Sequence, residues 1–452
     1  MLNAILPDAI QRWIDEKNWK ELAKTQVPWP DSEIVVPDIV DLLLNLDKRD
    51  RVLFFRALPN DLATDVLASL DSETTDKLLI ELTDHETRTL LANLSPDDRT
   101  YLLGELPGQV TQRLLNLLSP EDLREARSLL GYPEDSVGRL MTPDYVAVRR
   151  EWTIQEALDH IRRTADERDT VTMVYVVDAW WKLIDALPLH QFVLTEPTAT
   201  VESIMDNSFI NLNATDDREE AVRLMRRYNR LALPVLDTRG VLLGIVTVDD
   251  VLEVAEEETT EDFHKSAGVM PIRGGYWETG RMILFRSRIG WLAGLVLVNL
   301  ISSGVIAAYE ETLAAFVALA FFIPLIIDTG GNAGSQSATM MIRSISTGEI
   351  KLNQWMKVFL KELVIGLFIG VTLGLMGLAL GTFRGGVLIG LVVFCTMATI
   401  LVLTNLIGMA LPFLLTKVGL DPAIASGPLI TSVADAVGLI VYFSFATMIL
   451  GL

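Results

Sequence analysis

Long apolar runs organise the last third of this 452-residue chain. Residues 289–308 are 20 positions without a charge, enough to cross about 30 Å of hydrocarbon at about 1.5 Å per residue. Residues 312–342, 363–381, 387–415 and 423–450 repeat the pattern. One such run would fit the core helix of a soluble domain. Five in succession, separated by short loops, predict a transmembrane unit.

Upstream the pattern is periodic. Leucines recur every 12 residues at Leu58, Leu70, Leu82, Leu94, Leu106 and Leu118. An apolar pair keeps the same step at Leu78–Leu79, Leu90–Leu91, Leu102–Leu103 and Leu114–Leu115. Ser95-Pro96-Asp97-Asp98 and Ser119-Pro120-Glu121-Asp122 carry helix-start signals. Each unit predicts one short helix and a turn, too small to bury its apolar face alone. Stacked units therefore give a small α-solenoid over roughly residues 35–130. From about Ser136 the texture changes: residues 171–178, 233–237 and 241–246 read as strands, and a helix follows from Asp249. The expected class is a multidomain α plus α/β chain. Its expected divisions are an acidic helical-repeat domain (1–135), a paired α/β module (136–256), a connecting helix (257–280) and a five-helix membrane domain (281–452).

Charge sharpens this picture. From Arg281 onward there are 9 Lys/Arg and 7 Asp/Glu, leaving 29 basic and 52 acidic residues upstream, a net of −23. Such a surface repels nucleic acid and anionic lipid and favours small cations. In the membrane part, Arg281, Arg286 and Arg288 precede the first run, and Arg343, Lys351, Lys357 and Lys361 lie between the second and third. The loop after the first run has only Glu310 and Glu311; Arg384 and Lys417 follow the third and fourth runs. Basic loops thus alternate as expected for a multi-pass inner or plasma membrane protein with its N-terminus cytoplasmic and its C-terminus outside. The first twenty residues, MLNAILPDAIQRWIDEKNWK, lack the basic start and apolar core of a signal peptide. Cys395 stands alone in an apolar run, which excludes an intrachain disulfide and argues against a Cys-based metal site. No phosphate-binding glycine loop with Lys, HExxH or nucleophile constellation points to an enzyme.

Two acidic features carry candidate chemistry. The first is the run Asp249, Asp250, Glu253, Glu256, Glu257, Glu258, Glu261 and Asp262. On a helix, Asp250, Glu253, Glu257 and Glu261 share one face and repel until a cation neutralises them; divalent ions with oxygen ligands do this well. The second lies in the membrane. The apolar pattern breaks after Ile327 into a polar, glycine-rich segment, residues 328–337, in which Asn332 and Gln336 offer amide oxygens. Asp435 is expected to be the only acid well inside an apolar stretch, at a cost on the order of 3 kcal/mol if ionised. No basic residue lies inside an expected span to pair with it, so Asp435 reads as a cation ligand. Asp421, before Pro422, is placed to attract ions at a pore mouth, and Asn405 falls midway along the fourth run. Within the repeat, Asp65, Asp97 and Asp98 are candidates by charge alone.

The α/β module has two halves on one plan, begun by Met141-Thr142-Pro143 and Ile204-Met205-Asp206. It resembles a pair of CBS domains over about 138–198 and 201–256. Gly244-Ile245-Val246-Thr247-Val248-Asp249-Asp250 matches that family's nucleotide signature. The resemblance implies that Thr247 faces a phosphate and Asp250 holds the ribose of ATP or another adenine nucleotide. Pro188 and Gln191 stand at those places in the first half, leaving one nucleotide site at most.

The order of domains, Pro324 followed by Gly330-Gly331-Asn332-Ala333-Gly334-Ser335-Gln336, and the segment SVADAVGLIVYF around Asp435 together resemble the MgtE family of magnesium channels over about residues 35–452. That resemblance implies Mg²⁺ as substrate and regulator. It also implies a homodimer with its pore on the two-fold axis, and an ion site at Asp435 with contributions near Asn332. The connecting helix would serve as a plug, and Mg²⁺ among the acidic groups would hold the closed state. The family pattern most often has Asn where Ser335 stands. One rival reading is a transporter of Mn²⁺ or Co²⁺. His85, His160, His190 and His264 all precede the membrane part, which favours a hard ion. The other rival, a nucleotide-sensing scaffold with a membrane anchor, leaves Asp435 unexplained.

Overall fold

A computed structural model of the chain describes residues 6–25, 27–30, 32–164, 171–272, 276 and 279–451. It divides into two compact units, residues 1–256 and 257–452.

In the first unit the twelve-residue period becomes one helix per repeat, with helices beginning at Lys48, Asn60, Ser72, Asp84, Pro96, Gly108 and Pro120. Several of these helices are fixed at one or both ends. Asp47, Thr83, Ser95 and Ser119 accept backbone N–H groups of the first turn, the usual N-cap contribution of about 1 kcal/mol. Leu82, Leu94 and Leu106 end their helices in extended conformation, with ψ of 151°, 143° and 151°. The same leucines are buried in one continuous core with Leu78, Leu79, Leu90, Leu91, Leu102 and Leu103. One residue thus turns the chain and anchors the repeat.

The α/β module holds two three-stranded sheets. In the first, β1 (Ala147–Val148) runs parallel to β2 (Met173–Val177), which pairs antiparallel with β3 (Leu183–Pro188). In the second, β4 (Leu212–Asn213), β5 (Ala232–Leu236) and β6 (Leu242–Thr247) repeat that order and those directions. Both hairpins turn alike: Asp178 accepts from the amides of Trp180 and Lys182, and Asp237 from those of Arg239 and Val241. Tyr175, Val177 and Leu183 of the first half pack with Leu236, Leu242 and Ile245 of the second.

A helix over Val248–Ser266 leaves β6 directly. It was expected to fill 257–280 but ends at Ser266. Gly268 takes φ +70° there, Val269 donates to the carbonyl of His264, and Gly268 donates to that of Lys265. This terminator needs a residue without Cβ. Residues 273–275, 277 and 278 of the expected connecting segment lie outside the described residues.

Among the described residues the second unit has five helical segments long and apolar enough to cross a membrane: Arg281–Ala308, Val317–Ser346, Leu352–Gly385, Val387–Lys417 and Gly427–Leu450. The second span departs from its expectation twice. Its start is interrupted: a short helix Glu310–Ala315 and a 3₁₀ segment Val317–Phe322 precede the helix Ile323–Ser346. The polar segment after Ile327, expected as a break, is regular helix. Its small residues are the reason. A Cβ on Gly408 of the fourth span would overlap the carbonyl of Gly334, so the two helices meet backbone to backbone. The third span packs on the fourth in the same way: a Cβ on Gly370 would come within 2.7 Å of the Ala398 carbonyl. The fourth span is thereby the centre of the unit, with the second, third and fifth around it. The first span packs against the fifth and exposes Leu292, Val296, Leu297, Leu300 and Ile301.

Candidate ion path and acidic clusters

Asp435 is half-buried on the fifth span, two turns into the helix Gly427–Leu450. That helix packs against the second span, where Gly331 and Gly334 bring its Thr431 and Ile430 close. Asn332 is exposed on the second span. Its side-chain amide donates to Asp328 Oδ2 at 3.1 Å, and the Asp328 carboxylate lies within electrostatic reach of Asp435. Asp328, Asn332 and Gln336 form an exposed polar stripe at i, i+4 and i+8. Ser335 uses its hydroxyl to donate to the Gly427 carbonyl at 3.3 Å, tying the second span to the start of the fifth.

Asp435 is therefore not the only acid within the spans. Asp328 was hidden because it sits at the edge of the polar segment, and Glu362 because it follows Lys361 at the start of an apolar run. Glu362 is 6% exposed. Its Oε2 accepts from Asn405 Nδ2 at 2.6 Å and from Ser337 Oγ at 3.2 Å. Asn405 also donates to the Glu362 backbone carbonyl at 3.2 Å. Glu362, Asn405 and Ser337 thus join the third, fourth and second spans, and Asn405 serves helix packing.

The acidic run after β6 divides between two surroundings. At its start, Asp249, Asp250 and Glu253 meet acids of the helical repeat. Burial, then the Asp97 carboxylate, push Asp250 up to about 8; the Thr247 hydroxyl opposes this, and Asp249 and Asp98 add to it. Burial and Asp98 push Asp97 up to about 6. Asp98 is also raised, by burial and then by Glu253, Asp249 and Asp65, against a hydrogen bond to Ser95. The buried Arg99 beside them is taken up by Asp122 at 2.9 Å and by the Leu94 carbonyl. Nothing in the sequence pattern joined Asp65, Asp97 and Asp98 to Asp249, Asp250 and Glu253; only the fold does.

At its other end the run meets the membrane unit. Asp421 caps the 3₁₀ turn Pro422–Ile424 by accepting from Ala423, and it pairs with Lys265 Nζ at 2.6 Å. Lys265 also pairs with Glu261. Burial lowers the Lys265 ammonium, but these two carboxylates outweigh it and hold it above its usual range. Burial and then Asp421 push Asp262 up to about 6, with Lys265 opposing. Asp421 thus already has a cationic partner. Glu256 is exposed, and Glu257 and Glu258 are half-buried.

Among the described residues, no three His, Cys, Asp or Glu side chains converge to hold a bare metal ion. The nucleotide signature fits less well. The Thr247 hydroxyl donates to Asp250 Oδ2 at 2.6 Å, and a phosphate chain there would meet Asp97, Asp98, Asp249 and Asp250.

Comparison with known proteins assigns the parts. The family model "divalent cation transporter" MgtE matches residues 323–445, the MgtE intracellular N domain matches 35–135, and CBS domains match 137–184 and 201–257. The magnesium transporter MgtE of Thermus thermophilus is 41% identical over 326 residues, 72% of each chain. That of Bacillus subtilis is 34% identical over 320 residues, 71% of this chain and 70% of the other. A solved cytosolic domain of the Mg²⁺ channel MgtE in complex with ATP is 35% identical, with a TM-score of 0.50, over 56% of this chain and 99% of the other.

Two outcomes follow from this geometry. Glu362→Leu leaves the Ser337 hydroxyl without its acceptor and Asn405 with the backbone carbonyl of residue 362 alone, at a cost of about 1–3 kcal/mol. It should lower the thermal midpoint of the detergent-solubilised protein, whereas Glu362→Gln keeps the acceptor and most of the stability; equal midpoints for the two variants would count against the three-span junction. The second outcome concerns pH. A carboxyl raised in the folded chain binds more protons folded than unfolded, so its contribution is complete below about 4 and lost as pH rises to about 8. Without divalent ions, the thermal midpoint should fall between pH 5 and 8. Asp97→Asn with Asp250→Asn should flatten that slope; an unaltered slope would show that other groups set it.

Proposed function

The chain belongs to the MgtE family of divalent cation transporters, and on that premise we propose that it carries Mg²⁺ across the cell's inner or plasma membrane through a path at Asp435 and Asn332. It is a transporter and not an enzyme. The observation that carries the proposal is Asp435 itself, a half-buried carboxyl on an apolar span with no basic partner among the described residues, packed beside the helix that bears Asn332. An unpaired carboxylate at that depth costs about 3 kcal/mol unless water or a cation reaches it. The order of basic loops supports a cytoplasmic N-terminus and an outer C-terminus. The exposed stripe of Asn332 and Gln336 supports a homodimer, because a second copy of the same face would shield it from lipid and enclose water between the two.

The acidic clusters act as the sensor. At low internal Mg²⁺, Asp97 and Asp98 repel Asp249, Asp250 and Glu253 (Asp65 adds to the same field), and Glu258, Glu261 and Asp262 repel Asp421. Hydrated Mg²⁺ between such groups removes the repulsion and favours the arrangement in which they are close, with the helix Val248–Ser266 closing the path. Feedback of this kind requires Mg²⁺ to bind the closed arrangement more tightly, since equal affinity shifts nothing. The ATP complex of the related cytosolic domain supports an adenine nucleotide in the CBS pair as well; a nucleotide using Thr247 and Asp250 would have to part them from Asp97 and Asp98.

Proteoliposome flux tests both halves. Asp435→Ala should reduce Mg²⁺ flux at least 10-fold at matched protein content, and undiminished flux would remove the ion-path assignment. Neutralising Asp97, Asp98, Asp249 and Asp250 together to Asn should raise the internal Mg²⁺ needed to halve flux by about 10-fold. Suppression at the original concentration would remove the sensor.

A further inference from the structure

The two halves of the α/β module differ at one buried position. Their strand registers place Asp185 opposite Val176 and Gly244 opposite Val235, so the two residues occupy the same point of β3 and β6. In the second half, Gly244 lets the chain at Thr142 lie directly on β6. Thr142 and Ile245 exchange both backbone hydrogen bonds at 2.9 Å, and a Cβ on Gly244 would come within 2.6 Å of the Thr142 carbonyl. The corresponding chain in the first half is the linker Met205-Asp206-Asn207, where Met205 repeats Met141. A side chain replaces the backbone pairing there. Asp185 Oδ1 accepts from the Ala186 amide at 2.9 Å, and Oδ2 accepts from those of Asp206 at 3.0 Å and Asn207 at 2.9 Å. Asp185 is 0% exposed and has no basic partner among the described residues.

A buried carboxylate is costly unless several donors meet its charge. Backbone amides from two separate segments meet this one. Asn207 takes φ +55°, a turn conformation in which successive amides form a concave seat for an anion. A seat of this kind would otherwise suit a phosphate or carboxylate group brought from solution. We propose that Asp185 is a built-in anion: it fills the seat from within, orders the linker between the halves without a ligand, and closes the first half to phosphate-bearing ligands. Any nucleotide the module takes is thereby confined to the second half, where Gly244 has no side chain to offer. The inference depends neither on the ion path nor on the Mg²⁺ sensor.

Hydrogen exchange of the detergent-solubilised full chain, read by mass spectrometry, tests this at the amides themselves. In the unaltered chain the amides of Asp206 and Asn207 should exchange slowly, and inorganic phosphate should leave their rate unchanged. AMP and ATP should also leave it unchanged when Thr247 and Asp250 are replaced by Ala, so that the second half cannot answer for them. Asp185→Gly should speed exchange of the peptide holding these amides at least about 10-fold. Sodium acetate, which returns a carboxylate to the vacated seat, should slow it again, whereas sodium chloride at equal ionic strength should not. Asp185→Asn keeps the bulk and loses the charge, so its exchange should rise and acetate, having no room, should not reverse it. Rescue by acetate separates the role of an anion from that of a side chain that only fills space. Exchange that stays slow in Asp185→Gly, or that rises without responding to acetate, overturns the proposal. So does slower exchange of these amides on addition of phosphate or nucleotide while Asp185 is in place. Should Asp185→Gly fail to fold, Asp185→Ala carries the same test.

Discussion

Repulsion between neighbouring carboxylates is the constraint on which the rest of this molecule depends. It recurs in three places: Asp97 and Asp98 against Asp249, Asp250 and Glu253; Asp262 against Asp421; and Asp328 against Asp435. In each, burial or apolar surroundings strengthen the repulsion by excluding the water that would screen it. Charges held this way give a fold a reason to respond to a small cation, because the ion supplies what the protein withholds. Lys265 is the informative exception. Its ammonium lies between Glu261 and Asp421 and offsets part of the repulsion in the cluster beside the spans, so that cluster keeps some order without a metal.

The membrane unit keeps such charges in register by close packing. Gly334 against Gly408, and Gly370 against Ala398, bring the second and third spans onto the fourth at backbone contact. Glu362, Asn405 and Ser337 join the same three helices with hydrogen bonds. A junction of this kind fixes the rotation of the second span, and with it the face that bears Asp328, Asn332 and Gln336. Packing and polar pairing on the inner side of the helix thus decide what is presented on the outer side.

The helix Val248–Ser266 carries residues of both cytosolic and membrane-side acidic groups on one continuous element. Its first turn holds Asp249 and Asp250, and its last holds Asp262 and Lys265. The stop at Gly268 is equally definite, since the terminating hydrogen bonds from Gly268 and Val269 require its positive φ.

Local periodicity and charge placement, which need no knowledge of distant contacts, determined a great deal. The twelve-residue leucine step gave one helix per repeat, because leucines such as Leu82, Leu94 and Leu106 both end a helix and enter the core. Apolar run length gave five spans, and Asp435 stood out in the last of them as an acid without a basic neighbour in the run. The acidic run was legible as a dense block of negative charge. Its division was not: residues more than 150 apart in sequence, such as Asp98 with Asp249 and Lys265 with Asp421, meet only through folding. The same holds within the membrane. Sequence read residues 328–337 as a break because their polarity interrupts an apolar run, whereas their small side chains let the helix continue against its neighbours. It passed over Asp328 and Glu362 because a carboxyl at the edge of a run looks like a loop charge. Tertiary structure separated the two by surroundings, burying Glu362 against amide and hydroxyl donors and leaving Asp328 exposed beside Asn332, within reach of a second negative charge.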